Sequence, residues 1–151
     1  MHRSIRFAAM ASLLALVLPF ATVQAARAQG VAFDVETTLG SPSNGPFAAT
    51  GPAVDNGVVC PDGWTTDVSL DITGGGGGHT GFHVLKSFNC NDGSGSFLLK
   101  LEVRTSQTGI GTYSWLIVGG TGTYLDMRGS GTGYGLSTDY GVNDLLFGSL
   151  H

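Results

Sequence analysis

The sequence predicts an all-β protein: a single antiparallel β-barrel of about eight strands, preceded by a signal peptide. Three observations carry this expectation. Apolar and polar residues alternate with period two in several segments, as in Phe97, Leu99, Leu101 and Val103 against Leu98, Lys100, Glu102 and Arg104. The chain holds 25 glycines but only five prolines, and 12% of it is charged. No stretch places apolar residues at i, i+3, i+4 and i+7 between helix caps.

The elements follow in order. Arg3 and Arg6 precede an apolar run from Phe7 to about Val23, and small residues follow in Ala26-Arg27-Ala28. This is the layout of a secretory signal peptide over residues 1–28, with cleavage after Ala25 as the rival position. The rest, 29–151, reads as one domain. No second apolar segment of about 20 residues follows, so no stable membrane span is expected after cleavage. The expected location is outside the cytoplasm, extracellular or periplasmic. Four basic residues then face eleven acidic ones, a formal balance of −7. Nucleic acid is excluded as a partner, because phosphate binding needs clustered Lys and Arg.

Strands are expected over residues 32–38, 47–54, 67–72, 82–88, 97–104, 112–118, 123–128, 131–136 and 142–150. In residues 67–72, Val68, Leu70 and Ile72 oppose Asp67, Ser69 and Asp71, which suits an antiparallel sheet with one wet face. Turn signals separate the segments: Ser-Pro-Ser-Asn-Gly at 41–45, Pro61-Asp62-Gly63, Asn91-Asp92-Gly93 and Thr138-Asp139-Tyr140-Gly141. The five-glycine run 74–78 reads as a flexible surface loop. Short strands at this spacing make a meandering barrel or a sandwich. Closure favours the barrel, since it removes sheet edges. Cys60 and Cys90 are expected to form one disulfide in an exported chain, stabilising it by roughly 3 kcal/mol.

The segment 118–135 needs separate weighing. A dinucleotide-binding turn requires Gly-x-Gly-x-x-Gly opening a helix. Gly120-Thr121-Gly122 runs instead into Thr123, Tyr124 and Leu125, without the third glycine. Residues 119–122 therefore read as a tight turn between neighbouring strands. In the strand that follows, Tyr124, Asp126 and Arg128 share a face. Outward, the charged pair is an ordinary surface ion pair worth about 0–1 kcal/mol. Inward, it is a desolvated pair that marks a site.

Val118-Gly119-Gly120-Thr121-Gly122, then Tyr124, then Met127-Arg128-Gly129 resembles the glycine-rich signature of dirigent proteins, a family that shares the eight-stranded barrel of allene oxide cyclases. The chain also resembles, over most of its mature length, small exported bacterial proteins of that type. The resemblance implies a barrel, places Arg128 at a pocket with Asp126 nearby, and makes a homotrimer a reasonable expectation. Met127 stands where the signature has alanine. No residue corresponding to those catalytic in the cyclases can be located.

Candidate ligand-binding residues are thus Arg128, Asp126, Tyr124 and Trp115, with no catalytic residue assigned and no cofactor expected. Trp64, Tyr113, Trp115 and Phe147 also read as core. His79 and His83 stand four apart, but on a strand that spacing is about 13 Å, too far to share a metal. Nothing resembles Gly-x-Ser-x-Gly. The expected function is a non-catalytic secreted barrel binding a small apolar molecule or acting at the cell exterior. The alternative is a cofactor-independent cyclase or dirigent-like enzyme that steers a reactive intermediate.

Overall fold

A computed structural model describes residues 27–77, 79–106 and 108–151. All of the expected signal peptide except Arg27 and Ala28 lies outside these residues. Eight strands, β1 (Gln29–Thr38), β2 (Asn44–Thr50), β3 (Asp62–Gly76), β4 (His79–Cys90), β5 (Ser96–Thr105), β6 (Ile110–Gly120), β7 (Gly129–Ser137) and β8 (Gly141–Leu150), are joined by a short helix α1 (Pro52–Asp55) and a 3-10 turn (Gly122–Tyr124). Each strand pairs antiparallel with the next, and β8 returns to β1 from Gln29↔Leu150 to Thr38↔Gly141. The sheet is therefore a closed barrel, not a sandwich. Among the described residues, no helix is long and apolar enough to cross a membrane.

The alternating pattern puts one residue in two inside. Phe33, Phe47, Phe88, Phe97 and Trp115 fill the middle of the tube, with ring centroids of the other four 5.5–6.3 Å from Phe33. Phe88 and Phe97 stack at 5.0 Å. Leu99, Leu146 and Leu150 are fully buried beside them.

An interior this rich in rings needs room, and β7 supplies it. Its inward positions are Gly129, Gly131, Gly133 and Gly135, a face without side chains. A Cβ on Gly131 would lie 2.6 Å from the Trp115 ring and 2.0 Å from the Phe147 carbonyl. Glycine in a strand commonly marks such a close approach.

One end of the barrel is closed. Gly51 takes φ +105°, which ends β2, and Pro52 starts α1 at a position where its missing N–H costs nothing. Ala53 of α1, and Val59 and Cys60 after it, are buried there. Cys60 and Cys90 sit at disulfide distance, with Cα atoms 6.0 Å apart, and tie this cover to the end of β4. The segment 121–128 completes the floor.

Several expectations are corrected. The strand expected over 47–54 stops at Thr50, for the reason just given. Trp64 and Phe147, expected in the core, are exposed on the barrel surface. Residues 123–128 form no strand: β6 runs to Gly120 and pairs with β7, as in Leu116↔Ser130. The Tyr124 amide donates to Thr121 O and the Met127 amide to Tyr124 O, so the buried residues are Tyr124 and Met127, spaced by three rather than two. Gly74–Gly76 extend β3 and pair with β4, leaving the turn at Gly77. Finally, a bulge between Asp67 and Ser69 breaks the alternation of β3. Asp67, expected on the wet face, turns inward beside Lys86, while Val68 is 58% exposed.

Gly131→Ala is expected to destabilise the barrel by about 1–3 kcal/mol through overpacking. Gly119→Ala, whose Cβ would meet only Leu98 at 3.8 Å, is expected to stay within about 0.5 kcal/mol of the parent. Urea denaturation of both variants checks the contrast. Replacing Cys60 and Cys90 by serine is expected to cost about 2–5 kcal/mol on the same assay.

Candidate functional site

Above the aromatic layer the barrel stays open, and there a cavity of about 300 Å³ reaches the mouth. Its walls are apolar: Leu70 from β3, Phe82 and Val84 from β4, Leu101 and Val103 from β5, and Val142 from β8. Its base is polar. Thr37 (β1), Asp67 (β3), Lys86 (β4), Tyr113 (β6) and Asp144 (β8) all turn inward at one level. Thr37, Lys86, Tyr113 and Asp144 are each less than a tenth exposed.

These side chains form a chain of contacts. Lys86 Nζ stands 2.8 Å from Asp67 Oδ1 and donates to Thr37 Oγ1 at 3.0 Å. The Thr37 hydroxyl donates to Asp144 Oδ2 at 3.4 Å, and the Tyr113 hydroxyl donates to Asp144 Oδ1 at 2.6 Å. The Lys86–Asp67 contact is close enough for an ion pair, yet its angle leaves Oδ1 without a hydrogen bond. It remains a charge pair, since the Coulomb term depends on distance far more than on angle. Gly135 makes the assembly possible: a Cβ there would overlap the Tyr113 hydroxyl and lie 2.6 Å from Asp144 Oδ1.

Two carboxylates thus share one ammonium. Lys86 lies against Asp67, while Asp144 is held only by hydroxyl donors. Burial pushes the Asp144 carboxyl above the usual aspartate range, and the Asp67 charge adds to this; Tyr113, Lys86 and Thr37 pull the other way. Tyr113 is raised as well, by burial first and then by the Asp144 charge and hydrogen bond. At neutral pH it remains a phenol donor. The base can hold a proton, accept donors at its carboxylates, or take a charge.

The sequence-predicted residues fall elsewhere. Trp115 is buried below the polar layer and donates from Nε1 to Thr132 O at 3.2 Å. Tyr124 is buried at the closed end, edge-on to Phe97, with its hydroxyl 2.6 Å from Ser94 Oγ. Asp126 and Arg128 are exposed there, and Arg128 Nη1 donates to its neighbour Met127 O. None of the four lines the cavity. His79 and His83 are exposed, and no cluster of three metal-ligand residues occurs among the described residues. A wider hollow of about 710 Å³ lies along the β3–β4 hairpin, by Thr73, His79 and Arg104, but has no buried charged group at its base.

Sequence reasoning missed the polar base, although a signal existed. Lys86 interrupts the inward row Phe82, Val84 and Phe88. Asp144 interrupts Val142 and Leu146, and Thr37 ends the row Val31, Phe33 and Val35. An ionisable residue inside an apolar period-two row is expensive unless paired.

Lys86→Met is expected to destabilise the fold by about 3–5 kcal/mol, because it strands buried carboxylates. The pH dependence has a definite sign. With its carboxyl raised, Asp144 holds its proton more tightly in the folded than in the unfolded chain, so its contribution to stability falls as pH rises through the interval between the ordinary and the raised values. Relative to the parent, Asp144→Asn is therefore expected to gain stability as pH climbs from about 4 towards neutrality. Urea midpoints at several pH values test this. No family model, no curated protein and no solved structure matches the chain, so its functional reading rests on this cavity.

Proposed function

We propose that the protein is a small-molecule-binding barrel that works outside the cytoplasm and takes one amphipathic ligand through the open mouth. One observation carries the reading: polar side chains from five strands, four of them buried, converge at the base of an apolar-walled cavity. Barrels of about eight strands have room for one small ligand when their interior is not filled. A few placed polar groups on an apolar wall are what fix a ligand's orientation. The ligand would enter polar end first and leave its apolar part along Leu70, Phe82 and Val103. The Cys60–Cys90 pair is compatible with an oxidising compartment. The resemblance to dirigent proteins and allene oxide cyclases supports the same architecture, while its signature arginine, Arg128, is exposed at the far end.

A second reading has its own support. Asp144, with its raised carboxyl, is bonded to Tyr113 and linked through Thr37 to Lys86. Such a set can donate and accept protons without a cofactor. A cyclase- or isomerase-type reaction on the bound molecule would use Asp144 as the proton-handling group.

Mass spectrometry of small molecules that co-purify with the full chain is the first test. Val103→Trp, which fills the cavity from its wall, is expected to lower retention of the bound molecule by at least ~10-fold, a loss of about 1.4 kcal/mol. A filled variant that retains the molecule undiminished would overturn the assignment. Turnover of the bound molecule, abolished in Asp144→Asn, would select the enzymatic reading.

A further inference from the structure

We infer that the head group taken by this cavity is cationic: a primary ammonium on a short apolar chain, seated against Asp144. The inference rests on the binding reading above and adds the chemistry of the ligand. It starts from the charges that face the site. From β3 comes Asp67, from β4 Lys86, from β8 Asp144; β1 and β6 contribute the neutral Thr37 and Tyr113. With both carboxylates ionised the layer carries one surplus negative charge. Lys86 is committed, with Asp67 at 2.8 Å and Thr37 at 3.0 Å. No ion pair joins Lys86 to Asp144 among the described residues; the Thr37 hydroxyl stands between them.

Asp144 is therefore the buried carboxylate without a cation of its own, and it lines the cavity. A buried charge in this position either takes up a proton or is neutralised by a partner. An ammonium entering from the mouth would supply both the charge and N–H donors, and charge-assisted hydrogen bonds of this kind are the strong ones. Its alkyl chain would follow Phe82, Val84 and Val103. A carboxylate head would meet Asp67 and Asp144 as like charges, with Lys86 already paired.

Proton linkage follows from the same geometry. With its carboxyl raised, Asp144 in the free protein keeps its proton to higher pH than an ordinary aspartate does. A bound ammonium favours the ionised form, so binding expels that proton. Affinity then rises with pH until Asp144 is ionised in the free protein.

Three probes of equal chain length separate the possibilities: hexylamine, hexanol and hexanoate, titrated calorimetrically into the full chain at several pH values. Hexylamine is expected to bind at least ~10-fold tighter than hexanol, to tighten as pH rises from about 4 towards neutrality, and to release protons to the buffer. Hexanoate is expected to bind least. In Asp144→Asn the advantage of hexylamine over hexanol should vanish while hexanol still binds. Asp67→Asn serves as the second variant should the first fail to fold, and should reduce but not abolish the advantage. Hexanol binding as well as hexylamine would overturn the cationic head and leave the binding cavity intact. Hexanoate binding tightest would make Lys86 the anchor and overturn it too. Binding of none of the three would sink this inference and the binding reading together.

Discussion

A lysine ammonium inside a narrow β-barrel has to be met by a carboxylate, and around Lys86 that requirement organises the upper half of the molecule. The group is 4% exposed, so water cannot carry its charge. Removing such a charge from water costs several kcal/mol even after relaxation. Asp67 answers it directly: it continues the inward row of Gly63 and Thr65 opposite Lys86, and the bulge after it brings Leu70 to the cavity as well. Thr37 takes a second Lys86 donor and passes a hydrogen bond to Asp144, which Tyr113 holds from the far side. Five strands are thus fixed at one level by one buried cation and its consequences.

The lower half obeys a different constraint, that of volume. Four phenylalanines and a tryptophan compete for the inside of a tube whose eight walls are already close. The bare face of β7 resolves the competition. Gly131 admits Trp115, and Gly135 admits Tyr113 and Asp144. The same strand therefore serves both halves, as room for packing below and for polar chemistry above. Where side chains do not fill the space, between the polar layer and the mouth, the cavity remains.

The barrel was legible in the sequence because alternation is a local property. Segments such as 97–104 state their two faces without help from the rest of the chain. Closure was legible more weakly, through glycine-punctuated spacing. The misread parts depend either on a residue's partners across the sheet or on a local turn. Asp67, Val68 and Ser69 alternate cleanly on paper, and only the pairing of Asp67 with Lys86 and of Ser69 with Leu85 reveals the bulge at Val68. Tyr124, Asp126 and Arg128 look like one strand face, yet Tyr124 and Met127 turn in together at helical spacing. The polar base was hidden for a related reason. Lys86, Asp144 and Thr37 are far apart in sequence, and each alone resembles an ordinary flaw in an apolar row. Barrel register makes them one group.

Because β1 and β8 zip together along their whole length, Gln29 and Leu150 lie side by side at the sealed pole of the barrel. His151, paired with Arg128, lies at the same pole, opposite the orifice. A tether or surface attachment made at His151 would hold the barrel like a cup on its stem, with the rim presented to the surroundings.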